Sequence, residues 1–574
     1  MTRRILALPG TVAAALCLAA PATSQTTLYD VRGTSDGNGF GFAMARADDV
    51  DGDGIADLAV TAPTEILSSG PSSGQFGLIQ MRSGGDGSLI WSVDNPLPTG
   101  TFGNALTTVN DLDGDGLTDL VASVLDLSTP SLVRAEGILV ISSASGATLA
   151  SIRPLPSSEF TGTHMERVGD VDGDGVDDLA LRGRRTTPGG FEPVVFFVSS
   201  ATLQHVGQIT GPASAPSFGA SVCTLPDLNG DGTEEIVIGA FTDDTAGVEA
   251  GAVRFYSGLA SSPWRTIQGA PGAFLGRQLL PLPDVDADGA ADLAISATPI
   301  QSAGSVQIVS GASGQTLVTH DGTSTTSLFG VSLALVGDVD GDGRVDIAIG
   351  EPLFPVAGSP GAGSVRVATA VTGDQIQVFL GDAEHQALGW DLAALEDTDG
   401  DGYPGIAMAG VGITPTGLDR GRLFAVEGPM GPDCTAPVFG CAQPTVNSVG
   451  GTGTVITFGT ASLSNSSLRI VARDLPPGTP VLLLASPNAG IVSTPPGSQG
   501  NLCLNAPIGR SPNLGTASLG GNVVFSIDLD AIPTPGGPVV ATPSDVLNFQ
   551  MWYRDGGPMP TSRWTEMVTI DVCP

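Results

Sequence analysis

Seven times along its 574 residues this chain repeats one short acidic cassette. The first copy reads Asp49-Val50-Asp51-Gly52-Asp53-Gly54-Ile55-Ala56-Asp57-Leu58 and runs on into Ala59-Val60. The others begin at Asp111, Asp170, Asp227, Asp284, Asp338 and Asp397, at intervals of 62, 59, 57, 57, 54 and 59 residues. A recurring period of that size means one supersecondary unit stacked on copies of itself. The cassette also points to a ligand, because carboxylates at alternate positions around a Gly turn form an oxygen cage for a hard cation, Ca2+ ahead of Mg2+.

Each copy sits in the same local order. A Phe-Gly pair opens the unit at Phe40-Gly41, Phe102-Gly103, Phe218-Gly219 and Phe329-Gly330; it loosens to Phe160-Thr161-Gly162 and Phe274-Leu275-Gly276 and becomes Leu388-Gly389 in the seventh. A short apolar stretch follows, then the acidic loop, then a strand such as Ile347-Ala348-Ile349 that ends at a Gly/Pro corner (Ala62-Pro63, Gly239-Ala240, Glu351-Pro352). An alternating strand at 304–309, a Ser-Gly turn at Ser310-Gly311 and a last strand at 316–319 illustrate the remainder. Four strands joined by turns are the content of one propeller blade. The expectation is therefore all-β: a seven-bladed β-propeller followed by a small β-sandwich. The seventh unit lacks a fourth strand, while residues 27–31 stand unassigned ahead of the first Phe-Gly. This segment is expected to complete the seventh blade and latch the ring, leaving only short, protected sheet edges.

Charged residues are 14% of the chain, yet the net charge is −36, and 26 of the 59 Asp and Glu stand at the ligand positions of the cassettes. The acidity is thus concentrated in the loops, where cations can neutralise it, and it excludes nucleic acid, whose phosphates need Lys and Arg. With 80 Gly and 43 Pro the chain suits many short strands and turns, and 41% hydrophobic residues exclude a disordered chain.

Phe-Gly, Asp-x-Asp-x-Asp-Gly-x-x-Asp and the Gly-Ala-Pro-like corners together resemble the FG-GAP repeat of integrin α-subunit propellers and their bacterial relatives, over about residues 25–430. The resemblance implies calcium bound at one rim by side chains at loop positions 1, 3, 5 and 9 and a main-chain carbonyl at position 7. On this chain those are Asp49, Asp51, Asp53, Asp57 and the carbonyl of Ile55 in the first loop, and Asp111, Asp113, Asp115, Asp119 and Leu117 in the second. The third and fourth offer Asp170, Asp172, Asp174, Asp178 and Val176, then Asp227, Asn229, Asp231, Glu235 and Thr233. The fifth and sixth offer Asp284, Asp286, Asp288, Asp292 and Ala290, then Asp338, Asp340, Asp342, Asp346 and Arg344. The seventh has Asp397, Asp399, Asp401 and Tyr403, with Gly405 at position 9. Asn229 keeps an oxygen but drops a charge, and Gly405 makes the seventh loop the weak or empty one, so about five to seven ions are expected.

An EF-hand shares the opening of the cassette but needs a bidentate Glu at position 12 between two helices. Position 12 here is Val60, Ala122, Leu181, Ile238, Ile295, Ile349 and Met408, all apolar and on a predicted strand. Asp and Gly favour turns without any ligand, but four carboxylates within nine residues repel one another unless a counter-ion sits among them. Calcium is read as structural, pinning the turn between the first and second strands of each blade.

The ends of the chain add context. Arg3 and Arg4, the apolar run over 5–20 and small residues at Ala20, Ala22 and Ser24 read as a secretory signal over residues 1–24, and Leu16 before Cys17 is a poor lipidation signal. The propeller is assigned to 25–430, a linker to 431–445 and a β-sandwich to 446–574, the last rich in alternating strands and similar, from Leu547 through Asp555 to the final strand, to a C-terminal module of secreted proteins of planctomycete-like bacteria. Cys434, Cys441, Cys503 and Cys573 allow three disulfide connectivities, of which Cys434–Cys441 with Cys503–Cys573 is preferred by proximity; Cys223 reads as a buried free thiol. No catalytic motif is present, and His164, His205, His320 and His385 fall in different units and read as surface residues. Trp91, Trp264 and Trp390 are assigned to blade packing ahead of a sugar site. The functional expectation is an exported, non-enzymatic, monomeric adhesion or binding module without a membrane span, its partner an extracellular protein or, as the alternative, a polysaccharide.

Overall fold

The computed structural model describes residues 26–571 apart from 34–38, 67–74, 97–99, 127–133, 300–301, 326, 357–359, 382–385, 399–401, 415–416, 419, 428–437, 441–454, 459–468, 473–474, 487–488, 493–497, 500–501, 505–507, 519–522, 528–530, 536–537, 541–545 and 556–560. The leader, Cys434, Cys441, Cys573, His385, Asp399 and Asp401 therefore lie outside the described residues, and so does the side chain of Cys503.

Every described element is a β-strand. In unit one Met44–Arg46, Leu58–Ile66, Gln75–Arg82 and Leu89–Asp94 pair antiparallel in that order. The pattern returns in units that open with Gly100–Val109, Ser158–Val168, Ser221–Leu225, Leu275–Leu282, Leu333–Gly337 and Leu388–Ala394. Units one and two are joined by a short parallel pairing of Gln75-Phe76 with Gly100-Thr101; the other units are separate four-stranded sheets. The opening strand of each unit touches those of the units before and after it, and Met44–Arg46 also touches Leu388–Ala394, so the contacts run in a circle.

Burial explains the strand types. Second strands such as Glu235–Ala240, Asp292–Ala297 and Asp346–Glu351 are buried at every position, because neighbouring units cover both faces. Outer strands such as Arg265–Gln268 alternate, with one face in water. The Phe-Gly pair is the joint between units. Phe102, Phe218 and Phe329 are fully buried. Gly103, with φ +86, has no room for a side chain, since a Cβ there would lie 2.9 Å from Thr61 of the preceding unit. The same reading at Gly41 closes the circle: its Cβ would sit 3.0 Å from Ala409 in unit seven. One hydrophobic cluster accordingly mixes Phe40, Leu58 and Val60 of unit one with Ala407, Leu423 and Ala425 of unit seven.

The segment before the first Phe-Gly behaves as expected. Thr26–Arg32 pairs antiparallel with Arg422–Glu427 and is the outer strand of unit seven. Asp30 fixes it sideways, accepting from Arg422 Nε at 2.7 Å and Nη2 at 2.9 Å. One corner differs from expectation: Leu58–Ile66 runs through Ala62-Pro63 and resumes pairing at Ile66 after a register shift. Proline has no N–H to give the ladder, so the strand bulges there without ending.

Beyond unit seven, Val438–Gly440, Thr561–Asp571, Val546–Asp555, Pro480–Ser486 and Gly509–Thr516 form one sheet, with Ser498–Gln499 added parallel to Thr561–Asp571. Val455–Phe458, Arg469–Ala472 and Val523–Ser526 form a second. Ile470, Ala472 and Phe525 of the smaller sheet share a core with Val481, Leu483, Phe549, Met551 and Tyr553 of the larger.

Candidate metal centre

Six of the acidic loops are built on one hydrogen-bond scaffold. In the first, Asp49 Oδ1 accepts from the N–H of Gly52 at 2.7 Å and of Asp53 at 3.0 Å, and Oδ2 from Gly54 at 2.8 Å. Asp51 Oδ1 accepts from Asp53 N and Asp53 Oδ1 from Ile55 N. Gly52 and Gly54 have φ of +81 and +93, the left-handed conformation that turns these N–H groups inward and that residues with a Cβ avoid. Asp111, Asp170, Asp227 and Asp338 repeat the first pattern. The fifth loop alone carries a side chain at position 4, Ala287 with φ 61, and Asp284 there accepts only from Asp288 and Gly289.

Position 9 ties the loop to the rest of its unit. Asp57, Asp119, Asp178, Glu235, Asp292 and Asp346 are fully buried. Each accepts the N–H of the residue at position 2 with one oxygen. In four loops the other oxygen reaches the turn between the third and fourth strands: Asp57 to Gly84 N at 3.0 Å, Asp119 to Ser143 N at 3.4 Å, Asp178 to Ser200 N at 3.3 Å and Asp292 to Gly311 N at 2.9 Å. Position 5 reinforces the tie, since Asp53, Asp174, Asp231 and Asp288 accept from Ser83, Ser199, Ser257 and Ser310 hydroxyls of that turn. Ser310, expected only as part of a Ser-Gly turn, thus supports the loop, and the other three serines do the same.

In the fourth loop the extra methylene of Glu235 carries Oε2 to the indole N–H of Trp264, at 2.8 Å. Trp264 therefore does more than pack a blade, as its ring also lies under the Arg265 guanidinium at 4.4 Å. In the sixth loop Asp346 Oδ1 is buried without any partner.

Three carboxylates in each of five loops offer oxygens that all lie within 4.8 Å of one another: Asp49, Asp51 and Asp53; Asp111, Asp113 and Asp115; Asp170, Asp172 and Asp178; Asp284, Asp286 and Asp292; Asp338, Asp340 and Asp346. Burial pushes the carboxyls of Asp57 and Asp178 up to about 6 and that of Asp346 up to about 7, with neighbouring loop carboxylates adding to the shift and backbone N–H bonds opposing it. A cage of converging acidic oxygens, one of them orphaned and buried, fits a hard divalent cation. Asp227, Asn229, Asp231 and Glu235 share the scaffold. In the seventh loop Asp397 Oδ2 accepts from Gly402 N at 2.7 Å, and Thr398 N donates to Glu427 of the third strand.

A family model described as FG-GAP repeat matches residues 40–77, 218–256 and 329–367. The ring of units is a β-propeller that carries FG-GAP repeats. Parts of the chain are similar to integrin alpha-4 of Xenopus laevis (29% identity over 160 residues, 26% of this chain and 15% of that protein). They are also similar to integrin alpha-V of Gallus gallus (26% over 226 residues, 37% of this chain and 21% of that protein) and integrin alpha-5 of Xenopus laevis (26% over 253 residues, 40% and 23%). The match thus spans less than a quarter of each of these relatives.

Elsewhere in the FG-GAP propeller the polar groups are committed to one another. A cavity of about 380 Å³ where the inner strands meet the first loop is lined by Arg46, Asp48, Thr108, Thr118, Arg167 and Glu396, among others. Arg46 pairs with Glu396, Arg167 with Asp177, and Asp48 accepts from Thr118 N. Cys223 is a buried free thiol. Of the described histidines, His320 is 4% exposed and so not the surface residue expected, while His205 is half-buried and stacks on Phe160, and His164 lies half-buried in an inner strand, where burial and the charges of Arg182 and Arg277 hold it down to about 3.

Proposed function

We propose that this protein is an exported, seven-bladed FG-GAP propeller whose loops bind calcium structurally, and that it serves outside the cell as a non-catalytic adhesion or binding module for a protein ligand. The observation that carries the structural role of the ion is the ninth-position carboxylate. It is buried and caps the loop in six units, and in four of them it also holds the third-to-fourth strand turn of the same unit, so an ion on such a loop reinforces a joint between three strands. The relatives named as integrins support the binding role. The polysaccharide alternative gains little from the tryptophans: Trp91 donates to Ser143 O, Trp264 to Glu235, and Trp390 packs on Phe42, so they form no common platform.

The test uses the full mature protein coupled to beads. Bound calcium is counted and the melting temperature is read with millimolar calcium and with chelator; about five to seven ions and a clear fall on chelation are expected. Adhesion of the beads to the producing cells is then measured after protease or glycosidase treatment. Loss after protease supports a protein ligand, and loss after glycosidase supports the polysaccharide reading. No adhesion to untreated cells refutes the binding role.

A further inference from the structure

Arg46, Arg167, Arg184, Arg185, Arg254 and Arg422 each meet a carboxylate. Arg182 and Arg277 meet none among the described residues, in a chain with 59 Asp and Glu against 23 Lys and Arg. Both are half-buried, and burial holds each guanidinium below its ordinary value with no acid offsetting it. They lie at the Phe-Gly end of their units, away from the acidic loops. Arg182, in the second strand of unit three, is level with the joint, since Thr161 Oγ1 donates to its carbonyl at 3.2 Å, and Arg277 follows directly on Phe274-Leu275-Gly276 of unit five. Unit four, between them, brings both to one rim. Arg182 Nη2 donates to Pro216 O at 3.2 Å, and a Cβ on the joint glycine Gly219 would lie 3.3 Å from Arg182 Cγ. Thr242 N donates to Ser217 Oγ at 2.7 Å, and the Arg277 guanidinium lies 5.4 Å from the ring centroid of Phe241, the residue before Thr242. His164 is the third member. Its Nδ1 meets the Thr163 hydroxyl at 3.2 Å, which also accepts from Arg182 Nη1 at 3.4 Å, and the charges of both arginines act on the imidazole.

We propose that Arg182 and Arg277, with His164 beside them, form an anion site at the Phe-Gly end of the inner strands, and that it takes the carboxylate of an Asp or Glu side chain on the protein partner. The proposal rests on the reading of the chain as a protein-binding module. A guanidinium offers five N–H donors in a planar fork that matches a carboxylate. Arg182 commits two of them, in long bonds to Thr163 and Pro216, and Arg277 rests on an aromatic face. A guanidinium drawn out of water without an acid is disfavoured, and a carboxylate arriving with a partner removes that penalty. The acids close by in sequence are held elsewhere: Glu159 by Arg184, Asp243 by Arg254, and Asp244 by the N–H of Glu249. Glu166, two residues along from His164, feels the charge of Asp391 and not that of either arginine. The surroundings favour a protein over an anionic sugar polymer. The hairpin that carries Arg182 exposes Phe191, and the loop after Phe241 exposes Val248, apolar contacts of the kind a protein interface buries. A polyuronate would bring many charges into the field of a chain with net charge −36, whereas a single carboxylate needs only the two guanidiniums.

The test is binding of the full mature protein to the producing cells in millimolar calcium, read as an apparent Kd for the wild type, Arg182→Gln, Arg277→Gln, the double variant and Arg185→Gln. Arg185 is partly exposed on the same hairpin and paired with Glu192, so its variant controls for local charge. Arg182→Gln and Arg277→Gln should each weaken binding about tenfold or more, and the double variant little further, while Arg185→Gln binds as the wild type does. The melting temperature should not fall in Arg182→Gln or Arg277→Gln, because each removes an uncompensated charge; a side chain that merely held the fold would lower it. An acetylated peptide with a single Glu between glycines should compete with the cells for the wild type, and the same peptide with Gln should not. Equal binding by the wild type and both variants overturns the site and leaves the binding reading intact. If the variants unfold, the peptide pair decides: equal competition by the Glu and Gln peptides overturns the proposal. Competition by an oligogalacturonate, with binding that survives protease treatment of the cells, assigns the site to a sugar carboxylate and overturns the protein partner. A wild type that does not bind untreated cells sinks the binding reading itself, and this site with it.

Discussion

Glu166 and Asp391 make the pH dependence of this propeller predictable. Both lie on inner strands, in units three and seven, and the surrounding strands enclose them although each keeps a little accessible surface. Asp391 Oδ2 accepts from Met44 N at 2.7 Å, whereas Glu166 has no hydrogen-bond partner among the described residues. Burial pushes the Glu166 carboxyl up to about 7, with the charge of Asp391 adding to it, and burial pushes Asp391 up to about 7 as well. A carboxyl whose folded value lies above its unfolded one stabilises the fold fully below the unfolded value, and that stability is lost as pH rises through the folded value. For Glu166 the window runs from the ordinary 4.5 to about 7. At about 1.4 kcal/mol per pH unit this is about 3 kcal/mol, lost between pH 5 and pH 8. For a ring of about 400 residues, at roughly 2 cal/mol/K of unfolding entropy each, the loss corresponds to about 3–4 °C in Tm.

The perturbation is Glu166→Gln, which keeps the shape and removes the titration. Scanning calorimetry at pH 5 and pH 8 is the assay, in saturating calcium so that the loop carboxylates stay in one state. The fall in Tm between the two pH values should be smaller in the variant than in the wild type by those few degrees, and the variant should be the more stable protein at pH 8. An identical fall in both proteins, or a variant less stable at pH 8, would refute the argument that an enclosed and poorly partnered carboxyl sets this dependence.

Two further perturbations follow from named contacts. Asp30→Ala removes the partner of the largely buried Arg422 guanidinium from the strand that closes unit seven. Because Asp30 is 37% exposed, the loss should be about 1–2 kcal/mol, less than for a fully buried pair, and should appear as a lower Tm and faster proteolysis near the N-terminal strand; an unchanged Tm contradicts the latch. Ala287→Gly in the fifth loop relieves a left-handed alanine and frees its N–H to turn toward Asp284 as in the other loops. It should raise stability in calcium by up to about 1 kcal/mol, and a loss of stability measured by urea unfolding contradicts the strain argument.

Much of this was legible in the chain. A fixed period marks stacked copies, Phe-Gly marks the joint between them, and alternate aspartates mark a cage, because each signal lies within a dozen consecutive residues and depends only on local spacing. The latch at residues 26–32 was legible too, as a strand left over at one end and missing at the other. What the sequence could not reveal is what the neighbouring strands bring to each loop. The serines that brace position 5 and the indole that holds Glu235 come from segments about twenty to thirty residues away, and only the strand register sets them beside the cage. By spacing alone the seventh loop reads as weak, since Gly405 carries no ligand. Sequence thus determined the unit, its number of copies and the loop chemistry; tertiary structure decided which carboxylates are buried and what braces them, because burial and cross-strand pairing exist only once the sheets are formed.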